Sequence, residues 1–107
     1  MMAKVIKVAS DFTRFPYGRY RSQGKFSGEA FRDDVLLPLL KAGQSVEVDL
    51  DGTSGLSPSF LEEAFGGLVR AGLEVERILQ QVKIKSDDDP SYIDEVKEYV
   101  RDAGLVH

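Results

Sequence analysis

Hydrophobic positions change period several times along the chain, and each change predicts an element. "KVIKVASDF", from Lys4 to Phe12, alternates through Val5, Ile6 and Val8 and predicts a first strand. The alternation stops in "TRFPYGRYRSQGKFSG", where Pro16-Tyr17-Gly18 and Gln23-Gly24 are turn signals around a short "RYRS" segment. That segment reads equally as a hairpin arm or as an ordered loop. Ser27 then caps a helix in "SGEAFRDDVLLPLLKAG", with Phe31, Val35, Leu36, Leu39 and Leu40 at helical spacing and Gly43 as its stop. Pro38 predicts a kink in this helix, because it removes the hydrogen bond to residue 34 and crowds the preceding turn.

"SVEVDL" is the clearest strand, with Val46, Val48 and Leu50 on one face and Glu47, Asp49 and Asp51 on the other. A helix is predicted from about Pro58 to Ala71, its apolar stripe running through Phe60, Leu61, Ala64, Phe65, Leu68 and Val69. Gly66-Gly67 inside it costs about 1 kcal/mol per glycine relative to alanine, which points to close approach of a neighbouring backbone. Gly72 ends this helix. "LEVERILQQ" then reads as a short helix and "QVKIKS" as a strand through Val82 and Ile84. Asp89 at the N-cap and Pro90 at the first helical position open a last helix. Tyr92, Ile93, Val96, Tyr99 and Val100 form its buried stripe, and Gly104 closes it. Strands alternating with helices predict an α/β sandwich of modest size, with the whole chain, 1–107, as one domain.

Composition narrows the function classes. The chain has no cysteine, which excludes disulfides, thiolate metal sites and thiol nucleophiles. Its longest apolar run, Val35 to Leu40, is far too short to span a bilayer, and the first residues lead into "VIKVAS" without a signal pattern, so a cytoplasmic location is expected. The formal charge of −4 is unevenly spread. Residues 1–45 carry eight Lys/Arg against four Asp/Glu, and residues 46–107 carry six against fourteen. The basic loop 14–25, through Arg19, Arg21 and Lys25, is a candidate contact for an anion or small ligand. A nucleic-acid partner is not expected, since no domain-wide basic excess supports it.

The mouth of the second long helix, residues 55–63, is the other candidate. Ser57 as N-cap places Pro58 at the first helical position, while Ser59 as N-cap gives a capping box with Glu62. Burial of the Phe60 stripe predicts that Ser57, Ser59, Glu62 and Glu63 face solvent as a rigid acidic surface. A phosphoryl group on either serine would suit the free N–H groups and dipole there. Asp49 and Asp51, with Glu62 and Glu63, form the only carboxylate grouping that suggests magnesium, and no further ligand motif supports it, so no metal or cofactor is expected. His107, the single histidine, is the last residue, and no phosphate loop, dinucleotide fingerprint or nucleophile elbow is present. The expected class is non-enzymatic.

"VDLDGTSGLSPSFLEEAFGGLV", with "GKFSGEAFR" upstream, resembles an uncharacterised bacterial family described as STAS-like, over roughly Val5 to Tyr99. The Ser-Phe-Leu-Glu-Glu-Ala-Phe-Gly core carries most of that resemblance. It implies a small STAS-like sandwich of about four strands in a mixed sheet, with helices packed mainly on one side. The best-known members of the wider fold are anti-sigma-factor antagonists, which dock on a serine kinase of histidine-kinase-like ATPase fold. In those proteins an Asp-Ser-Ser-Gly motif opens the helix, and its first serine is phosphorylated. Aligned from Asp49-Leu50, the motif falls on Ser57, Pro58, Ser59 and Phe60, which places a proline at the acceptor position with a serine on each side. The resemblance thus implies a regulatory interaction module whose ATPase or kinase partner meets residues 55–63. The alternative is a small-ligand or nucleotide sensor that uses loop 14–25.

Overall fold

The computed structural model describes residues 3–105. Strand β1, Lys4–Lys7, ends earlier than the alternation predicts. Val8–Phe12 forms a wide π turn instead, closed by the Thr13 N–H on the Val8 carbonyl at 2.7 Å and by the Lys7 N–H on Asp11 Oδ2 at 2.8 Å. Residues 13–27 are an ordered loop. The Tyr17 N–H donates to the Phe26 carbonyl at 3.1 Å, and Gln23 Oε1 accepts from the N–H groups of Arg19 and Tyr20.

Helix α1 spans 28–41, with Ser27 Oγ accepting from the Ala30 N–H as its sequence position predicts. Its first free N–H groups, on Gly28 and Glu29, donate to the Gly18 and Arg19 carbonyls of the loop at 3.0 and 2.9 Å. A π turn at Arg32–Leu36 lies just upstream of Pro38, and the chain continues through Pro38 as helix to Lys41 rather than splitting in two.

Strand β2, Val46–Asp49, leads to helix α2, 58–70, which carries its own π turn at Glu62–Gly66. Helix α3, Val75–Gln81, runs directly into strand β3, Val82–Lys85, and helix α4, Ser91–Leu105, closes the fold. Asp89 Oδ1 accepts from the Ser91 N–H at 3.1 Å, so Asp89 caps α4. Gly104 does not end α4; it lies within the helix against Val75.

The sheet has order β1-β2-β3 and is parallel throughout. This corrects the expectation of about four strands in a mixed sheet. The segment "RYRS", which the sequence left open as a hairpin arm or an ordered loop, is a loop: its backbone groups go to turns and to the start of α1. Two crossovers run the same way along the sheet, and right-handed connections, the general rule for parallel strands, put α1 and then α2 with α3 on one face. Exposure agrees: Ile6, Val48 and Ile84 share a row and are buried, while Val5, Glu47 and Lys83 share the next row and face outward. Phe31, Phe60 and Phe65 are fully buried where α1 crosses α2, with ring centroids 6.0 and 6.4 Å from Phe31. Phe12, from the first π turn, closes this cluster at 5.0 Å from Phe31. Gly66 meets the close approach its cost predicts, since a Cβ there would lie 3.2 Å from the Tyr99 carbonyl oxygen of α4. Among the described residues no helix is long and apolar enough to cross a membrane.

Candidate functional site

The loop after β2 is fixed from three sides. The Asp87 and Asp88 N–H groups donate to Asp51 Oδ1, each at 2.8 Å, and the Gly52 N–H donates to Asp88 Oδ2 at 3.0 Å. The Ser54 N–H donates to the Arg14 carbonyl at 2.8 Å, and the Leu56 N–H reaches the Tyr92 hydroxyl at 3.3 Å. The bond from the Asp88 N–H, aided by the Lys85 ammonium, holds the Asp51 carboxyl below its ordinary value. Lys85 Nζ lies 3.0 Å from Asp87, 3.1 Å from Asp51 and 3.8 Å from Asp49. Asp49 and Asp51 therefore share a lysine, and Glu62 and Glu63 are not part of their surroundings. Among the described residues no acidic or histidine cluster is arranged to hold a metal ion.

Ser57 is the cap of α2. Its Oγ accepts from the Phe60 N–H at 3.1 Å, with Pro58 at the first helical position. Ser59 is exposed in the first turn, and the capping box with Glu62 does not form because Glu62 turns to arginines. Ser57→Ala is expected to cost about 1 kcal/mol in urea melts, whereas Ser59→Ala changes stability by only a few tenths. Equal effects at the two positions would contradict this assignment.

Glu62 and Glu63 do not project freely into solvent. Glu63 is 5% exposed and Glu62 is half-buried, and three arginines from separate segments converge on them. Arg70, two turns further along α2, grips Glu62 with two bonds of 2.8 Å and reaches Glu63 Oε1 at 3.3 Å. Arg19, from the loop, bonds Glu62 and lies 3.2 Å from Glu63 Oε1. Arg32 of α1 bonds Glu63 Oε2 and holds Asp33 at 2.7 Å. Gly67 makes the room: a Cβ there would lie 2.7 Å from Arg32 Nη1. Arg70, with help from Arg19 and against partial burial, keeps the Glu62 carboxyl below its ordinary value. The residues that open the π turns of α1 and α2, Arg32 and Glu62, are thus members of one ion-pair network joining α1, α2 and the loop.

The two candidate regions are therefore connected, which their distance in sequence hides. Of the basic loop residues, Arg19 is committed to the network, and Arg21 is held by Asp34 at 2.8 and 3.2 Å. Lys25 is exposed, its ammonium 5.5 Å from the Phe26 ring centroid. Arg32 and Arg70 were not among the residues the sequence singled out. The only signal for Arg70 was its position two helical turns from Glu62 and Glu63. The loop also exposes Phe15 (69%), Tyr17 (68%) and Tyr20 (49%), and the Ser54–Arg14 bond sets it beside the mouth of α2.

A family model described as a STAS-like domain of unknown function (DUF4325) matches residues 27–92, from the Ser27 cap through β3 to Tyr92. No curated protein matches the chain, and no solved structure does. The matched span takes in Arg32, Glu62, Glu63 and Arg70 and leaves out β1 and the aromatic loop. Because it covers more than half of the sequence, the chain belongs to the family of STAS-like domains of unknown function.

Proposed function

We propose that the chain is a non-enzymatic regulatory module that docks a protein partner through one face made of residues 55–59 and the loop 13–26. The observation that carries this reading is the exposure of Phe15, Tyr17 and Tyr20 on a loop that the Ser54–Arg14 bond and the Arg19–Glu62 ion pair tie to the segment of the exposed Ser57, Pro58 and Ser59. Exposed aromatic side chains next to arginine and lysine have the composition of interface anchors. Arg14 and Lys25 are the cations of this face that no carboxylate among the described residues engages. Glu62 and Glu63 serve the face indirectly, by holding Arg19 and with it the loop.

The STAS-like character favours a partner of the histidine-kinase-like ATPase or serine-kinase class. Ser59 is the better candidate for phosphorylation, because the Ser57 hydroxyl is engaged as the cap. A phosphoryl group on Ser59 would sit in the first turn of α2, where the helix dipole favours negative charge, and would change the face without disturbing the core. A photo-crosslinking amino acid placed at Tyr17, or separately at Ser59, is expected to capture one and the same ATPase or kinase in cells. The exposed Arg101 on α4 is the control position and should not capture it. Capture of different proteins at 17 and 59, or of none, would overturn the shared face, and intact-mass analysis of the captured chain reports phosphorylation directly.

A further inference from the structure

Strand β3 has a free side. Among the described residues it pairs only with β2. Peptide groups alternate sides along a strand, and the Lys85 carbonyl accepts from the Leu50 N–H on the β2 side at 2.9 Å, so the N–H and C=O of Ile84 point to the outer edge. Beside β3, between α3 and α4, lies a groove of about 350 Å³. Phe65 and Val96 floor it, half-buried Leu79 and Ile93 flank its mouth, and Lys83 and Lys97 line its rim. No carboxylate lines it, although the chain as a whole is acidic.

We propose that this edge binds an extended segment of a partner protein in which acidic and apolar residues alternate, adding it as a fourth strand. The partner of β3 inside the sheet shows the chemistry. Glu47, Val48 and Asp49 of β2 stand in register with Lys83, Ile84 and Lys85, acid to lysine and valine to isoleucine. A strand on the outer side faces the same rows. Its apolar residues enter the groove and its acidic residues meet Lys83, whose side chain is 80% exposed and reaches Glu47 only at 4.0 Å. Backbone pairing supplies affinity and the groove supplies selectivity, as in other strand additions. A second copy of the chain fits poorly, because β3 against β3 sets the lysines of both copies on one face, where like charges destabilise pairing. Edge lysines also discourage indiscriminate pairing, which leaves acidic strands as the favoured class.

The test uses the full chain and a fluorescein-labelled peptide, SVEVDL, that carries the β2 pattern. Saturable binding by fluorescence anisotropy is expected. Lys83→Glu, at an exposed position, should weaken binding about tenfold, and reversing the peptide charges to SVKVKL should weaken it by at least as much. N-methylation of alternate peptide bonds, which removes ladder hydrogen bonds and leaves side chains in place, should also weaken it about tenfold. Absence of binding at about 1 mM peptide would overturn the proposal. Equal binding of SVKVKL would remove the charge argument, and indifference to N-methylation would reduce the groove to a site for apolar groups alone. A dimer in sedimentation velocity that excludes the peptide would give the edge to a second copy instead.

Discussion

Glu63→Ala is expected to destabilise the protein by about 3 kcal/mol, the low end of the range for breaking one partner of a buried ion pair. The Glu63 and Arg32 side chains are 6% and 14% exposed, so removing the carboxylate leaves the Arg32 guanidinium largely dehydrated and paired only with Asp33. Arg19 and Arg70 lie nearer solvent and rehydrate, which is why the low end applies. For a domain of this size the loss corresponds to a fall in melting temperature of roughly 12–15 °C. The double substitution Arg32→Met with Glu63→Leu should recover most of the stability, because an apolar pair of similar volume avoids the desolvation cost altogether. Hydrogen exchange gives a second reading. The Gly28 and Glu29 N–H groups bond to carbonyls of the loop that Arg19 anchors chiefly through Glu62, so they should stay protected in the rescued double variant and lose protection in Glu62→Ala. A change under about 0.5 kcal/mol for Glu63→Ala would place the pair in the class of surface ion pairs.

The contrast between α2 and its charges shows how far the sequence could be read. The apolar stripe of α2, the Ser27 cap, the Asp89 cap and the alternation of β2 are all set by neighbours within a few residues, so they were legible. The choice between Ser57 and Ser59 as cap was not, because both satisfy the local rule. It is decided by Arg19 and Arg70 drawing Glu62 away from the capping box. The burial of Glu63 was equally hidden, since two of its three arginine partners lie 31 and 44 residues away in α1 and the loop. A rule based on helical periodicity assigns an acidic residue to solvent unless it knows what crosses over it. The parallel sheet, by contrast, was open to inference: long helical connections between short strands favour parallel pairing, and the resemblance to mixed-sheet relatives obscured that. The π turns have no counterpart in the hydrophobic pattern.

Gly28→Ala is the second large effect expected. Alanine is favoured over glycine in helices by up to about 1 kcal/mol, and Gly28 opens α1 at an ordinary helical position, so local propensity alone predicts stabilisation. Packing predicts the opposite. A Cβ at Gly28 would lie 2.6 Å from the Phe60 carbonyl oxygen, 3.0 Å from Glu63 Cβ and 3.2 Å from the Ala64 backbone nitrogen. Two of these three atoms belong to the backbone of α2 and cannot turn aside as a flexible side chain would. The helices must separate at the point where Phe31 packs on Phe60 and Phe65, and overpacking of that kind costs about 1–3 kcal/mol. The net expectation is a loss of about 2 kcal/mol, or roughly 9 °C in melting temperature. Gly104→Ala separates the two contributions. A Cβ there would meet a Val75 side-chain carbon at 2.5 Å but no backbone atom of a neighbouring element, so its cost should be smaller than that of Gly28→Ala. If Gly28→Ala instead melts higher than the parent, the close contact of α1 with α2 is not a feature of the folded protein, and the geometry that seats Arg32 on Glu63 falls with it.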